Sequence, residues 1–539
     1  MTSQMEEENE YIIKEVSYGD NGALINAEEG RKESADIDVE KVEITTPEGA
    51  NDKQVHKREI IKDGFGTITV TDGETTQETT IYRFTLTNQR GMYVQVITYG
   101  ATITSVMVPD KKGNFDDIVL GYETIEGYRD PSNPYFGATI GRVTGIIEDA
   151  GFKIATEEFD LSQNFIGGHH VNGGFKGFDK VVWHGHIQDN KKLILSYMSR
   201  DGEEGFPGDV VVNRSFELTS KNELIIVTTA TCTKPTLIDV STHVDWNLAS
   251  NLAGAKEIYN HYLMINAGRY AQKDTNYMTT GKLKKVTGTV FDFRIPRPLG
   301  KLIHKVPGGG YDDYLILTSS NCKSVSFAAR LMHPGSGRYL EVLTDQPGLT
   351  VYSGNKLYAK ECYTIGHPES YWSFTPLTQD DHKETVPENL DNIDENLRNS
   401  QQSDYGGDNQ DQQIIIEKRE NMEDKKPEEE GIEGIKEQDD GVKDTDKNNE
   451  PGNEGEDTEK IKEQAPPMKG KMGVIYERHG GIRLVPHSCA RIYMKRGTQD
   501  RLILKPGKQY TSTTIFKFGV VAEKKPNLAE IDGGLPISN

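Results

Sequence analysis

The chain has 539 residues, 84 Asp and Glu against 62 Lys and Arg, a formal net charge of -22, and a hydrophobic fraction of only 35%. This length exceeds one average domain, and the low apolar content means that part of it builds no core. The acid excess excludes a nucleic-acid partner, which needs a Lys/Arg surplus against phosphate, and no run of about 18 apolar residues is present to cross a membrane. The four cysteines, Cys232, Cys322, Cys362 and Cys489, show no C-x-x-C spacing. Neither a disulfide framework nor a metal site is expected, and a reducing compartment fits. The start, MTSQMEEENEY, has no basic and then apolar leader pattern, so a cytoplasmic location is expected.

In chain order, residues 1–65 are acidic and lack apolar periodicity, and read as a disordered extension. From 66 the texture changes. TITVTDG, TIYRFTLTN, MYVQVITYG and TITSVMVP alternate apolar and polar residues between turn signals, the period-two pattern of antiparallel strands. The pattern continues through GFKI, KLILSYMS, VVVNRSFELT, ELIIVTTATCT, EIYNHYLMINA, YLILTS, SVSFAARL, RYLEVLT and TVYSG. Long amphipathic helical patterns are nearly absent. The expected fold class is all-β, a large antiparallel β-sandwich whose first part spans 66–375. Residues 376–468 are rich in Glu, Asp, Lys and Gly. They are expected to be a disordered acidic insertion, since they cannot bury enough surface to offset chain entropy. Strand texture returns in MGVIYERHGGIRLV, ARIYMK, RLILKPG and TTIFKFGVV, so closing strands are expected over 469–522, with a tail at 523–539. A long surface insertion costs little loop-closure entropy.

One stretch suggests chemistry. TLIDVSTHVDWNL, from Thr236 to Leu248, reads as a buried strand ending at His243 beside Asp245, Trp246 and Asn247. A histidine at the mouth of a strand can pass a proton to a ligand. Read alone, it is more readily a satisfied core or loop histidine than a catalytic one.

Several stretches together resemble the aldose 1-epimerase (galactose mutarotase) family. They include YGATITSVMVPD at 99–110, DDIVLGYETIEGY at 116–128, PYFGATIGRV at 134–143, NGGFKGFDKVVW at 172–183 and DGEEGFPGDV at 201–210. GTVFDFR at 288–294, GGYDDYL at 309–315, SGRYLEVLTDQPGLTVYSGN at 336–355 and PGKQYTSTTIFKF at 506–518 follow in order. The resemblance implies a large antiparallel sandwich that interconverts the α and β anomers of a free aldose such as galactose or glucose. No metal and no organic cofactor is implied. A histidine protonates the ring oxygen while a glutamate takes the proton of the anomeric hydroxyl, each group being worth about 10²–10⁴-fold. The resemblance places the general acid at His243. It places sugar-binding residues at Asp312, with Asp313 as the neighbouring choice, and at Gln346.

Other positions depart from the family pattern. After GRV the family carries an asparagine and an arginine, where this chain has Gly145 and Ile146. An aliphatic chain cannot replace the forked guanidinium donor. The family's histidine before Gly-Gly is Asn172, which can hydrogen-bond a hydroxyl but carries no proton charge; His169 and His170 lie close by in sequence. The catalytic glutamate falls at Val485, and IRLVPHSCARIYM holds no Asp or Glu. Three readings follow. The chain is a family member that has lost epimerase activity and binds carbohydrate through His243, Asp312 and Gln346. Or it is an active epimerase with a displaced base, at Asp245 or near Glu361. Or it is an interaction protein whose acidic insertion meets a basic protein partner.

Overall fold

The computed structural model describes residues 57–72, 75–275, 277–318, 324–357 and 468–521. The chain divides into two compact units, Met1–Gln54 and Val55–Asn539, and every described residue belongs to the second. The acidic stretches expected at the N-terminus up to 56 and within the insertion up to 467, and the tail from 523, lie outside the described residues.

Three antiparallel sheets carry the fold. A five-stranded meander runs in chain order through Glu59–Asp72, Thr75–Thr87, Tyr93–Ile97, Thr102–Pro109 and Phe115–Asp117. Its first strand begins at Glu59, so the boundary expected at 66 falls inside a strand. The register slips between Gly64 and Gly66, a bulge that breaks the alternation on which the boundary rested. A nine-stranded sheet has Val210–Leu218, Glu223–Cys232 and Tyr510–Val520 side by side at its centre, next to Arg338–Thr344. A six-stranded sheet orders Asp245–Trp246, Ile482–His487, Gly348–Tyr352, Asp312–Leu317, Ala267–Lys273 and Thr279–Lys285. The closing strands on the far side of the insertion therefore enter both large sheets: Tyr510–Val520 is central in the nine-stranded sheet, and Ile482–His487 lies next to an edge strand of the six-stranded one. Val94, Ile103, Val212, Leu224, Phe516, Leu315, Val351 and Leu484, drawn from all three sheets, share one buried apolar cluster.

Three segments differ from the sequence reading. The stretch from Thr236 to Leu248 is not one strand but three short ones, each bound to a different partner. Thr236–Leu237 pairs with Ile503–Leu504, Ser241–His243 with Ala138–Ile140, and Asp245–Trp246 with Ile482–His487. EIYNHYLMINA divides into a helical turn, Gly254–Ile258, and the strand Tyr262–Ile265. ARIYMK is an α-helix, Ala490–Lys495. Gly497 stops that helix at φ 64°. Its N–H donates to Met494 O at 3.0 Å, and the Thr498 N–H donates to Tyr493 O at 2.8 Å, the paired bonds of a Schellman cap. Ile492 then packs on Ala271 and Tyr314, covering one end of the six-stranded sheet.

Candidate active site

The site forms on one face of the six-stranded sheet. Side chains alternate across a strand, so Arg483, Val485 and His487 of Ile482–His487 share a face. Register extends each across the neighbouring strands. Asp245 is opposite Arg483, which is opposite Tyr352, which is opposite Asp312; Val485 is opposite Thr350, which is opposite Tyr314. Leu484 points the other way, into the main apolar cluster.

Arg483 is the centre of this face. Its Nη1 donates to His243 Nδ1 at 3.0 Å. Its Nε and Nη2 donate to Asp245 Oδ2 at 3.0 and 2.5 Å, and Nη2 also reaches the Pro134 carbonyl at 2.8 Å. A guanidinium has only donors, so His243 Nδ1 must be the acceptor and its proton sits on Nε2. Burial, then the Arg483 charge, then His487 hold the His243 imidazole well below the usual histidine range. Burial raises the Asp245 carboxyl, against the pull of Arg483. Tyr135 stands edge-on to the His243 ring, 6.0 Å between centroids.

Val485 is 2% exposed and brings no polar atom to the face. Beside it, Thr350 Oγ1 and His487 Nε2 lie 2.7 Å apart. The Cys489 N–H donates to His487 Nδ1 at 3.0 Å, so Nε2 carries the proton and Thr350 Oγ1 accepts it.

The loop residues meet the site from the opposite side. Gly145 has φ 82°, a left-handed backbone that glycine or asparagine adopts most readily. The change from asparagine to Gly145 therefore keeps the turn and deletes the side chain. The Gly145 N–H donates to Asn172 Oδ1 at 2.9 Å, and the Asn172 side chain also hydrogen-bonds Tyr135. Ile146 pairs with Val171 and packs against a cluster of Phe165, Val171 and Met278. Neither neighbouring histidine takes the place of Asn172. His169 Nδ1 accepts from the Asp149 N–H, and His170 is fully buried against Phe206.

Gln346 is half-buried; its Nε2 donates to Asp345 Oδ1 at 3.0 Å and its Oε1 accepts from Ser488 Oγ at 3.3 Å. Asp312 opens its strand with a side chain 65% exposed, while Asp313 is buried. Lys273 Nζ donates to the Asp312 carbonyl, and it lies 3.9 Å from the Asp312 carboxylate and 3.5 Å from that of Asp313. Burial works against the Lys273 charge, but the two carboxylates prevail and raise its pKa. Among the described residues no group of three or more His, Cys, Asp or Glu is arranged to hold a metal ion.

The family model described as Aldose 1-epimerase matches residues 82–379. Galactose mutarotase from Bos taurus is 38% identical over 278 residues, which is 52% of this chain and 79% of that protein. Aldose 1-epimerase from Escherichia coli (strain K12) is 32% identical over 280 residues, 51% of this chain and 78% of that protein.

The chain belongs to the aldose 1-epimerase family.

Solved structures agree at the level of the fold. A GalM/aldose epimerase homologue from C. elegans superposes with a TM-score of 0.55 at 19% identity, covering 81% of this chain and 98% of that one. Galactose 1-epimerase from Lactobacillus acidophilus NCFM gives 0.54 at 18% identity, covering 86% and 99%. The sequence reading singled out His243, Val485, Asn172 and Gln346 and did not consider Arg483, His487, Thr350 and Tyr135, which lie beside them. The signal for the first two was present: in IRLVPH they flank Val485 at a spacing of two, so any residue argued to face the site brings both with it.

Proposed function

We propose that this protein is a carbohydrate-binding member of its family that no longer interconverts the α and β anomers of a free aldose such as galactose or glucose. Ring opening needs one group to protonate the ring oxygen and another to take the anomeric proton. Loss of either costs about 10²–10⁴-fold. The observation that carries this reading is the contact between Arg483 and His243. An imidazolium at His243 would turn an Nδ1–H toward the Arg483 N–H, donor against donor and charge against charge. His243 is thereby restricted to giving a hydrogen bond from Nε2. Val485, in the place assigned to the base, has no proton acceptor. Asp245, a candidate for a displaced base, is 0% exposed and holds Arg483; Glu361, the other, lies outside the described residues. Asn172, Gln346, Asp312 and the Nε2–H of His243 remain as hydrogen-bonding groups for a sugar.

The test is polarimetric. Fresh α-D-galactose and α-D-glucose should equilibrate with the purified protein at the buffer rate, while saturation-transfer NMR detects the sugar bound. A rate well above buffer that His243→Ala abolishes would overturn the proposal.

A further inference from the structure

Strand Val210–Leu218 buries every second residue, so that Val210, Val212, Arg214, Phe216 and Leu218 all lie inside the sandwich. Arg214 is thus a guanidinium within an apolar stripe, 2% exposed. Its Nη1 donates to the Ser241 carbonyl at 2.9 Å and its Nη2 to Thr242 Oγ1 at 2.5 Å. Its Nε is buried and finds no acceptor. No carboxylate pairs with it among the described residues, and burial, opposed only by Tyr510, lowers its pKa to about 10. It therefore stays charged at neutral pH. A buried cation with no counter-charge is strongly unfavourable unless something compensates it.

The surroundings supply what an anion needs. Across the strands Arg214 is opposite Thr228, which is opposite Ser512. These three, with Ser241 and Thr514, line a small cavity between the sheets that has room for a single ion or water and whose other walls are Pro486 and apolar residues such as Ile226, Val240 and Phe516. Each hydroxyl can turn its proton toward a guest. We propose that this cavity binds a halide-sized monovalent anion, chloride in ordinary buffer, held by Arg214 and by the hydroxyls of Thr228, Ser512 and Thr514. The cavity is too small for a phosphate or a carboxylic acid. Its position gives the anion a structural role. Pro486 lies between Val485 and His487, and Ser241–His243 carries His243, so the anion braces both walls of the candidate active site from behind. This site is independent of whether the epimerase chemistry survives.

The experiment compares the thermal unfolding of the full chain in sodium chloride, sodium bromide and sodium gluconate at equal ionic strength, with ³⁵Cl line broadening as a direct readout. Chloride at about ten times its dissociation constant is expected to raise Tm by about 2 °C over gluconate. Bromide should do the same and give an anomalous peak beside Arg214 in a soaked crystal. Arg214→Val should lose the halide response and the line broadening. Ser512→Ala, which keeps the arginine, should shift the chloride response to several-fold higher concentration, and it decides the matter if Arg214→Val does not fold. Equal Tm in chloride and gluconate with no line broadening in the wild type would mean that a water fills the cavity, and would overturn the proposal.

Discussion

Arg483 joins His243 to Asp245: one guanidinium donates to the imidazole Nδ1 at 3.0 Å and, through two nitrogens, to the neighbouring carboxylate. The three residues come from three strands: His243 ends Ser241–His243, Asp245 opens Asp245–Trp246, and Arg483 lies opposite Asp245 in Ile482–His487. Arg483 is therefore set between the expected acid and its neighbour, two residues from the vacated base.

His243 should accordingly remain a neutral Nε2–H tautomer well below the pH at which an ordinary histidine titrates. Two-dimensional ¹⁵N spectra of histidine-labelled protein would show this directly. A His243 signal that titrates near pH 6.5 would contradict the Arg483 contact.

Val485→Glu alone should leave anomer exchange within a few-fold of buffer, because the acid remains blocked. Val485→Glu combined with Arg483→Gln supplies the base and releases Nδ1, and exchange should rise by about 10²-fold or more. Polarimetry on the three proteins decides this. Full rescue by Val485→Glu alone would show that Arg483 does not matter.

Asp245→Asn removes one partner of a fully buried ion pair. It should destabilise the fold by about 3–5 kcal/mol, whereas replacing both partners, Asp245→Leu with Arg483→Met, should cost far less. Urea unfolding of the two variants measures the difference. Equal losses would show that the pair is not the source.

Stability should fall as pH drops below about 6.5. Burial chiefly holds His261 and His479 down to about 3, and holds His243 well below its usual range. The unfolded chain protonates each near 6.5, so it binds more protons than the folded chain below that pH. The sign is loss of stability on acidification, about 1.4 kcal/mol per pH unit for each of the three histidines. Urea midpoints between pH 8 and pH 5.5 should be flat at the upper end and fall below 6.5. A flat profile throughout would refute the assignment.

Gly497→Ala places a Cβ on a residue at φ 64° and should cost about 1–2 kcal/mol. The loss should appear as a lower Tm without loss of the sandwich by far-UV circular dichroism. An unchanged Tm would show that the helix end tolerates another backbone.

Much of the fold was legible because alternation reports burial directly. Val210–Leu218 and nearly all of Glu223–Cys232 alternate in burial, and most of their inward positions are apolar in sequence. ARIYMK was misread because so short a segment of mixed apolar and basic residues fits either period, and the decisive mark, the glycine at 497, lies beyond it. Thr236–Leu248 was misread as one strand because apolar residues also fill chain that crosses between sheets.

The sequence by itself determined the family and the sandwich, and it pointed to His243 and Val485 as the places expected for the acid and the base, because those follow from residue identity and spacing along the chain. Only the tertiary structure decided what surrounds them. Arg483 is 240 positions from His243, and Arg214, between Asn213 and Ser215, looks in sequence like part of an ordinary polar run. Hydrogen bonds and burial depend on which strands become neighbours, and that pairing brought a guanidinium to the acid and left another inside the core.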